Sequence, residues 1–225
     1  DWQRVYEDNQ DTGAYSPDPT SSGRRALAGM ALTYLCIAAR ESNDTMWPGK
    51  TLQRFKDAGN MTDRFNALNA LVSSGHALAA QALARFHSIF KDEALVIDKW
   101  FAMQAMAPEH AGRVFERVKA LTKHADFSIA NPNRARSLVG SFCTGNPAAF
   151  HRADGAGYAF WADRVLEIDA ANPQLASRIA RSLDRWTQLA EPYRSAAREA
   201  VARVAASPKL SSDASEIVLR ALAAG

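Results

Sequence analysis

The sequence predicts an all-α fold of stacked antiparallel helix pairs, a HEAT/armadillo-like right-handed superhelix. Three observations carry this. Ala- and Leu-rich segments with apolar spacing of three and four residues run nearly throughout, and no convincing alternating pattern marks a strand. The segments are about 12–18 residues long and are joined by about two to six residues, so a helix pair with its turns takes about 35–45 residues. Helix-start signals recur between the segments, most clearly Asn172-Pro173 and Ser211-Ser212.

Taken in order, residues 1–22 contain Gly13, Pro17 and Pro19 and read as a loop or linker arriving from a preceding region. With no initiator Met, and with Trp2, Val5 and Tyr6 resembling the tail of an earlier element, the chain reads as a piece of something longer. Residues 23–225 then form the helical-repeat domain. Its first helix is expected over about 23–40, with Ala26, Leu27, Met30, Ala31, Tyr34, Leu35 and Ala38 as the apolar stripe. Further helices are expected at about 48–57, 61–74, 76–90, 93–106 and 110–123, and another begins at Asn131. A loop, Thr144-Gly145-Asn146-Pro147, precedes four more at about 155–170, 173–189, 192–206 and 212–223.

At 225 residues the chain can bury a real core, and 47% hydrophobic with 23% charged residues describes a soluble globular protein. The net charge of +3 is small and the basic residues are spread, so nucleic acid is not an expected partner. No apolar run approaches the ~20 residues that span a bilayer, and no signal-peptide pattern opens the chain. Cys36 and Cys143 lie far apart in apolar surroundings, which favours two buried thiols and a cytoplasmic setting.

Residues for catalysis are missing. The histidines are His76, His87, His110, His124 and His151; none forms His-Glu-x-x-His. Neither Cys-x-x-Cys nor Gly-x-Ser-x-Gly occurs, and Gly49-Lys50-Thr51 lacks the upstream glycine of a phosphate-binding loop. His151 near Asp154 could form an acid–base pair, although a loop acid ahead of a helix more commonly caps it. Asp98-Lys99-Trp100-Phe101 reads as a core aromatic pair with an Asp–Lys pairing alongside. Asn60 and Asp154 read as helix caps, and Gly155 and Gly157 would admit a close neighbour.

Asn131-Pro132-Asn133-Arg134-Ala135-Arg136-Ser137 stands apart. Asn131 suits the cap and Pro132 the first helical position. Arg134 and Arg136 then place positive charge where the helix dipole is already positive. That arrangement suits an anion met by backbone N–H groups and a guanidinium. At about 100° per residue the two arginines point some 200° apart, flanking the core stripe Ala135, Leu138, Val139 and Phe142. One reaches a ligand fully, Arg136 ahead of Arg134, while the other pairs with an acidic neighbour.

Several segments in fixed order carry a family resemblance. They are Ser22-Gly23-Arg24-Arg25-Ala26-Leu27, Asn60-Met61-Thr62-Asp63, Asp98-Lys99-Trp100-Phe101, Asn131 to Leu138, and Asn146-Pro147-Ala148-Ala149-Phe150-His151 running into Asp154-Gly155-Ala156-Gly157-Tyr158. Together they resemble the C-terminal helical domain of bacterial aminopeptidase N, a zinc metallopeptidase family. The resemblance implies a non-catalytic domain that closes over a zinc site, encloses a substrate cavity and limits access to peptides. It implies no cofactor in this chain, zinc in the parent enzyme, and the catalytic domain of the same polypeptide as partner. It also implies that basic residues here meet the carboxylate side of a bound peptide, so Arg136, Arg134 and Asn131 are the expected cavity-wall residues. Self-association of the separated domain would follow from exposing its docking face. A free-standing helical scaffold that binds another protein is the alternative.

Overall fold

A computed structural model of the chain describes residues 1–225. Every element is helical: α1 (Trp2–Asp8), α2 (Pro19–Glu41), α3 (Met46–Asp57), α4 (Met61–Ser74), α5 (Leu78–Phe90), α6 (Ala94–Ala105), α7 (Arg113–Leu121), α8 (Pro132–Ala135), a π turn (Arg136–Gly140), α9 (Ser141–Gly145), α10 (Pro147–Phe150), α11 (Ala156–Ala171), α12 (Pro173–Ala180), α13 (Tyr193–Ala205) and α14 (Ser212–Ala223). The chain divides into two compact units, Asp1–Trp100 and Phe101–Gly225.

In the first unit α2 packs on α1, α3 and α4. The opening residues contain a short helix, α1, and a loop held by Arg25. Asp1 caps α1 by accepting from Gln3 N at 3.0 Å, and Asp18 caps α2 by accepting from Ser21 N at 3.0 Å. The buried Arg25 guanidinium holds the intervening loop, pairing with Asp11, donating to Ser16 O and lying 4.6 Å from the Tyr15 ring centre. The first long helix therefore starts at Pro19 rather than residue 23. Its inner face also differs from expectation. Ala28, Ala31, Leu32, Cys36 and Ala39 are buried, whereas Leu27, Met30 and Tyr34 are exposed. Both sides of α2 are apolar, so periodicity alone could not choose between them.

Sequence-level caps elsewhere hold. Asn60 Oδ1 accepts from Asp63 N at 2.9 Å, and Gly75, at φ 67°, ends α4 in the left-handed conformation. Trp100 is buried and donates to Leu83 O at 3.0 Å. Asp98 is buried and Lys99 is exposed. Cys36 lies 3.0 Å from Thr51 Oγ1, and burial pushes the pKa of Cys36 and Cys143 up; both are free thiols.

In the second unit α11 packs on α12 and α13, and α14 on α12 and α13. The helix expected to run to residue 189 stops at Ala180 and continues as short 3-10 turns, Arg181–Leu183 and Trp186–Gln188. Trp186 is thereby buried, donating from Nε1 to Ala221 O at 2.9 Å at the end of α14. α7 starts later than expected because Ala111 and Gly112 both have positive φ. Asn172 and Ser211 cap α12 and α14, accepting from Leu175 N at 3.0 Å and Ala214 N at 3.2 Å. No helix is long and apolar enough to cross a membrane.

Gly157 shows how close packing restricts residue choice here. A Cβ at this position would lie 2.0 Å from Phe150 O, inside backbone that cannot yield. Gly157→Ala should lower unfolding free energy by about 2–4 kcal/mol in urea denaturation. Gly49→Ala, in α3 with nothing near the added Cβ, should raise it by about 0.5–1 kcal/mol.

Candidate functional site

The segment from Asn131 to Gly145 carries the expected cavity-wall residues. Asn131 Oδ1 accepts from Asn133 N at 3.0 Å and Arg134 N at 3.2 Å, so its side chain is spent on capping. Pro132 occupies the first helical position. Beyond Ala135 the helix widens into a π turn, in which Ser141 N donates to Arg136 O, five residues back. π turns of this kind insert one residue and are frequent at functional sites. Ala135, Leu138, Val139 and Phe142 are all fully buried, as the helical spacing predicts. Behind them Phe142 meets Phe115, Phe150 and Phe160 at ring-centre distances of 5.6–5.8 Å.

The two arginines go to opposite environments. Arg134 is only 7% exposed; its guanidinium donates to Asp126 O and lies 5.0 Å from the Phe101 ring centre. It is therefore a buried fastener and does not face solvent as a ligand-binding cation would, which corrects its place in the expected set. The reason is local: aromatic and carbonyl groups behind the helix provide cation–π and hydrogen-bond partners for a guanidinium taken out of water. Arg136 is exposed, and Nη1 donates to Asn133 Oδ1 at 3.1 Å. A neutral amide orients it without cancelling its charge, so it stays available to an anion.

The far end of the segment is fixed by Asn146, which lies in the expected loop Thr144-Gly145-Asn146-Pro147. At 5% exposure it donates to Ala105 O at 2.9 Å and Ala107 O at 2.8 Å, and accepts from Ala149 N at 3.2 Å. One side chain thus satisfies two carbonyls around the end of α6 and caps α10. α12 packs across the π turn.

His151 and Asp154 do not form a pair. Asp154 accepts from Arg152 at 2.7 and 3.0 Å and from Ala156 N at 3.1 Å, capping α11. The Arg152 hydrogen bond is the first cause of its lowered pKa. His151 Nδ1 instead meets the buried Tyr158 hydroxyl at 2.9 Å. Burial pushes the His151 pKa below its usual 6.5 and raises that of Tyr158 to about 12. A neutral imidazole hydrogen-bonded to a protonated phenol is a structural contact, with no nucleophile beside it.

Comparison with known proteins agrees with this architecture. The family model described as "Domain of unknown function (DUF3458_C) ARM repeats" matches residues 1–223. Aminopeptidase N of Caulobacter vibrioides is 38% identical over 220 residues, which is 98% of this chain and 25% of that protein. Aminopeptidase N of Escherichia coli K12 is 33% identical over 209 residues, 93% of this chain and 23% of that protein. The crystal structure of Legionella pneumophila aminopeptidase A in complex with aspartic acid is similar with a TM-score of 0.87, at 27% identity. That match covers 100% of this chain and 26% of that one. The chain spans about a quarter of the length of these relatives.

The two arginines should separate in stability measurements. Arg134→Ala should cost about 2–4 kcal/mol, and Arg136→Ala should stay within about 0.5 kcal/mol of the parent. His151 sets a pH dependence. Its folded-state pKa is depressed, so the unfolded chain takes up the proton first as pH falls. The stability is fully present above the unfolded value near 6.5 and is lost as pH falls from there toward the folded pKa. His151→Gln should flatten the dependence of the urea midpoint on pH between neutrality and pH 5.

Proposed function

Because the chain belongs to the ARM-repeat family described as DUF3458_C, we propose that it is the C-terminal, non-catalytic helical domain of an aminopeptidase N-type enzyme. The observation that carries this reading is the match along nearly the whole chain to about a quarter of aminopeptidase N. The remaining three quarters would hold the chemistry. This chain has no His-Glu-x-x-His, so the zinc and its ligands are assigned to the preceding polypeptide. The domain's work is then geometric. It covers the active site, bounds the cavity in which peptides lie, and excludes folded proteins from it.

Within that cavity Arg136 meets the carboxylate end of a bound peptide. Its guanidinium is exposed, held by a neutral amide, and close to the start of a helical segment. Charge, donor geometry and backbone dipole all favour an anion there. Asn131 keeps the segment's first turn in place, and Arg134 anchors it from behind. The catalytic domain of the same polypeptide is the partner, peptides are the substrates, and the two free buried thiols fit a cytoplasmic setting.

Peptide length gives the test. In the zinc-loaded enzyme that carries this domain, Arg136→Ala should lower kcat/KM for peptides by about 10- to 100-fold, the loss of one charge-assisted hydrogen bond worth about 1.5–3 kcal/mol. Aminoacyl amides, which have no carboxylate, should change less than about twofold by the same reasoning. Equal losses on both substrate types would contradict the assignment.

A further inference from the structure

The first unit carries a cleft in which positive charge gathers around an apolar floor. α5 packs on α3 and α4, and Gln81, Arg85 and Ile89 recur along it four residues apart, on one face. Leu52, Phe55 and Lys56 share a face of α3 by the same periodicity. Two adjoining hollows open between these faces. One, of about 360 Å³, is lined by Leu52, Phe55, Lys56, Gln81, Ala82 and Arg85. The other, of about 270 Å³, shares Phe55, Lys56 and Arg85 and adds Arg64 and Ile89. Phe55 and Ala82 are buried and form the floor. Small-molecule sites start at about this size, ~300 Å³.

Three cations line these hollows and no carboxylate does. Arg64 Nε donates to Phe55 O at 3.1 Å and Nη2 to Ala58 O at 2.6 Å, closing the end of α3. Both acceptors are neutral, so the guanidinium keeps its charge. Lys56 and Arg85 are exposed and form no ion pair. The neighbouring acids are engaged elsewhere. Both Asp57 oxygens accept from Gln53 Nε2 at 2.9 Å, and Asp63 accepts from Asn60 Nδ2 at 3.0 Å and lies 3.7 Å from Arg54. The helix dipole accounts for Lys56, in the last turn of α3, but not for Arg85, in the middle of α5. A cleft with one sign of charge over low-dielectric walls concentrates the opposite sign.

We propose that this cleft binds a small organic anion, a carboxylate carried on an aromatic or branched aliphatic body. The body rests on Phe55, Leu52 and Ala82, and the carboxylate lies among Arg85, Arg64 and Lys56. A bare inorganic anion would leave the apolar floor unused, and a neutral ligand would leave three cations unanswered. The charges converge on one concavity instead of spreading over the ~800 Å² per partner that a stable protein interface takes. That convergence selects a small molecule as the occupant. The site lies within Asp1–Trp100 and rests neither on Arg136 nor on the assignment of the chain to a peptidase.

The probe is 3-phenylpropionate, with 3-phenylpropionamide as its uncharged counterpart and inorganic phosphate as an anion without a body. Ligand-observed NMR titrations are run on the 225-residue chain and on the natural polypeptide that contains it. In the longer form the part of the binding that depends on Arg85 is the readout. The acid should bind at least about tenfold more tightly than the amide or phosphate. Arg85→Glu should weaken the acid by about tenfold or more, and Arg85→Lys by less than about threefold. Both variants should keep the Tm within about 1 °C, because the side chain is exposed. If Arg85→Glu disturbs folding, Lys56→Ala should give a loss of about threefold, of the same sign. An amide or phosphate that binds as well as the acid, or an affinity indifferent to Arg85→Glu, would overturn the proposal. So would binding by the 225-residue chain that the longer polypeptide lacks, since a segment of that polypeptide would then fill the cleft. Failure of the Arg136 kinetics would leave these outcomes untouched.

Discussion

Two buried polar side chains clamp the segment from Pro132 to Gly145, and the candidate site depends on that clamp. Arg134 fastens the start to Asp126 O and the Phe101 ring. Asn146 fastens the end to Ala105 O and Ala107 O. Each group has left water, so each must keep its partners or cost about 1–3 kcal/mol. Between the two fasteners the helix has little freedom to roll. Ala135, Leu138, Val139 and Phe142 face inward against the aromatic cluster, and Arg136 is held outward as a consequence.

This division explains how a helix start tolerates two positive charges against its dipole. The unfavourable term is roughly 0.3–1 kcal/mol per exposed charge. Arg134 offsets it by leaving the solvent-facing side and gaining cation–π and hydrogen-bond contacts. Arg136 has no such compensation beyond one amide contact. An uncompensated cation at that place is consistent with a visiting anion. His151, Tyr158 and Asp154 lie nearby in sequence, but their partners are internal, and they hold the turn into α11.

Much of the fold was legible because helix starts are written in local chemistry. Asn60, Asn131, Asn172 and Ser211 all cap where their spacing to the next backbone N–H predicts. What stayed hidden required knowledge of partners distant in sequence. The stripe Leu27, Met30, Tyr34 is as apolar as the one that is buried, so no periodicity argument could rank them. The break after Ala180 depends on Trp186 reaching Ala221 O, 35 residues away. The burial of Arg134 depends on Phe101, and that of Asn146 on Ala105 and Ala107. Helix geometry did separate the two arginines, since a 200° divergence cannot leave both on one face.

The central claim is that Arg136 is the free guanidinium of the cavity wall and Arg134 its buried support. A crystal structure of the longer enzyme with a bound, slowly cleaved peptide bearing a free C-terminus tests it most directly. The account predicts the peptide carboxylate within about 3 Å of the Arg136 guanidinium, with Arg134 still against Phe101. A carboxylate bound elsewhere, with Arg136 turned away from the cavity, would contradict it.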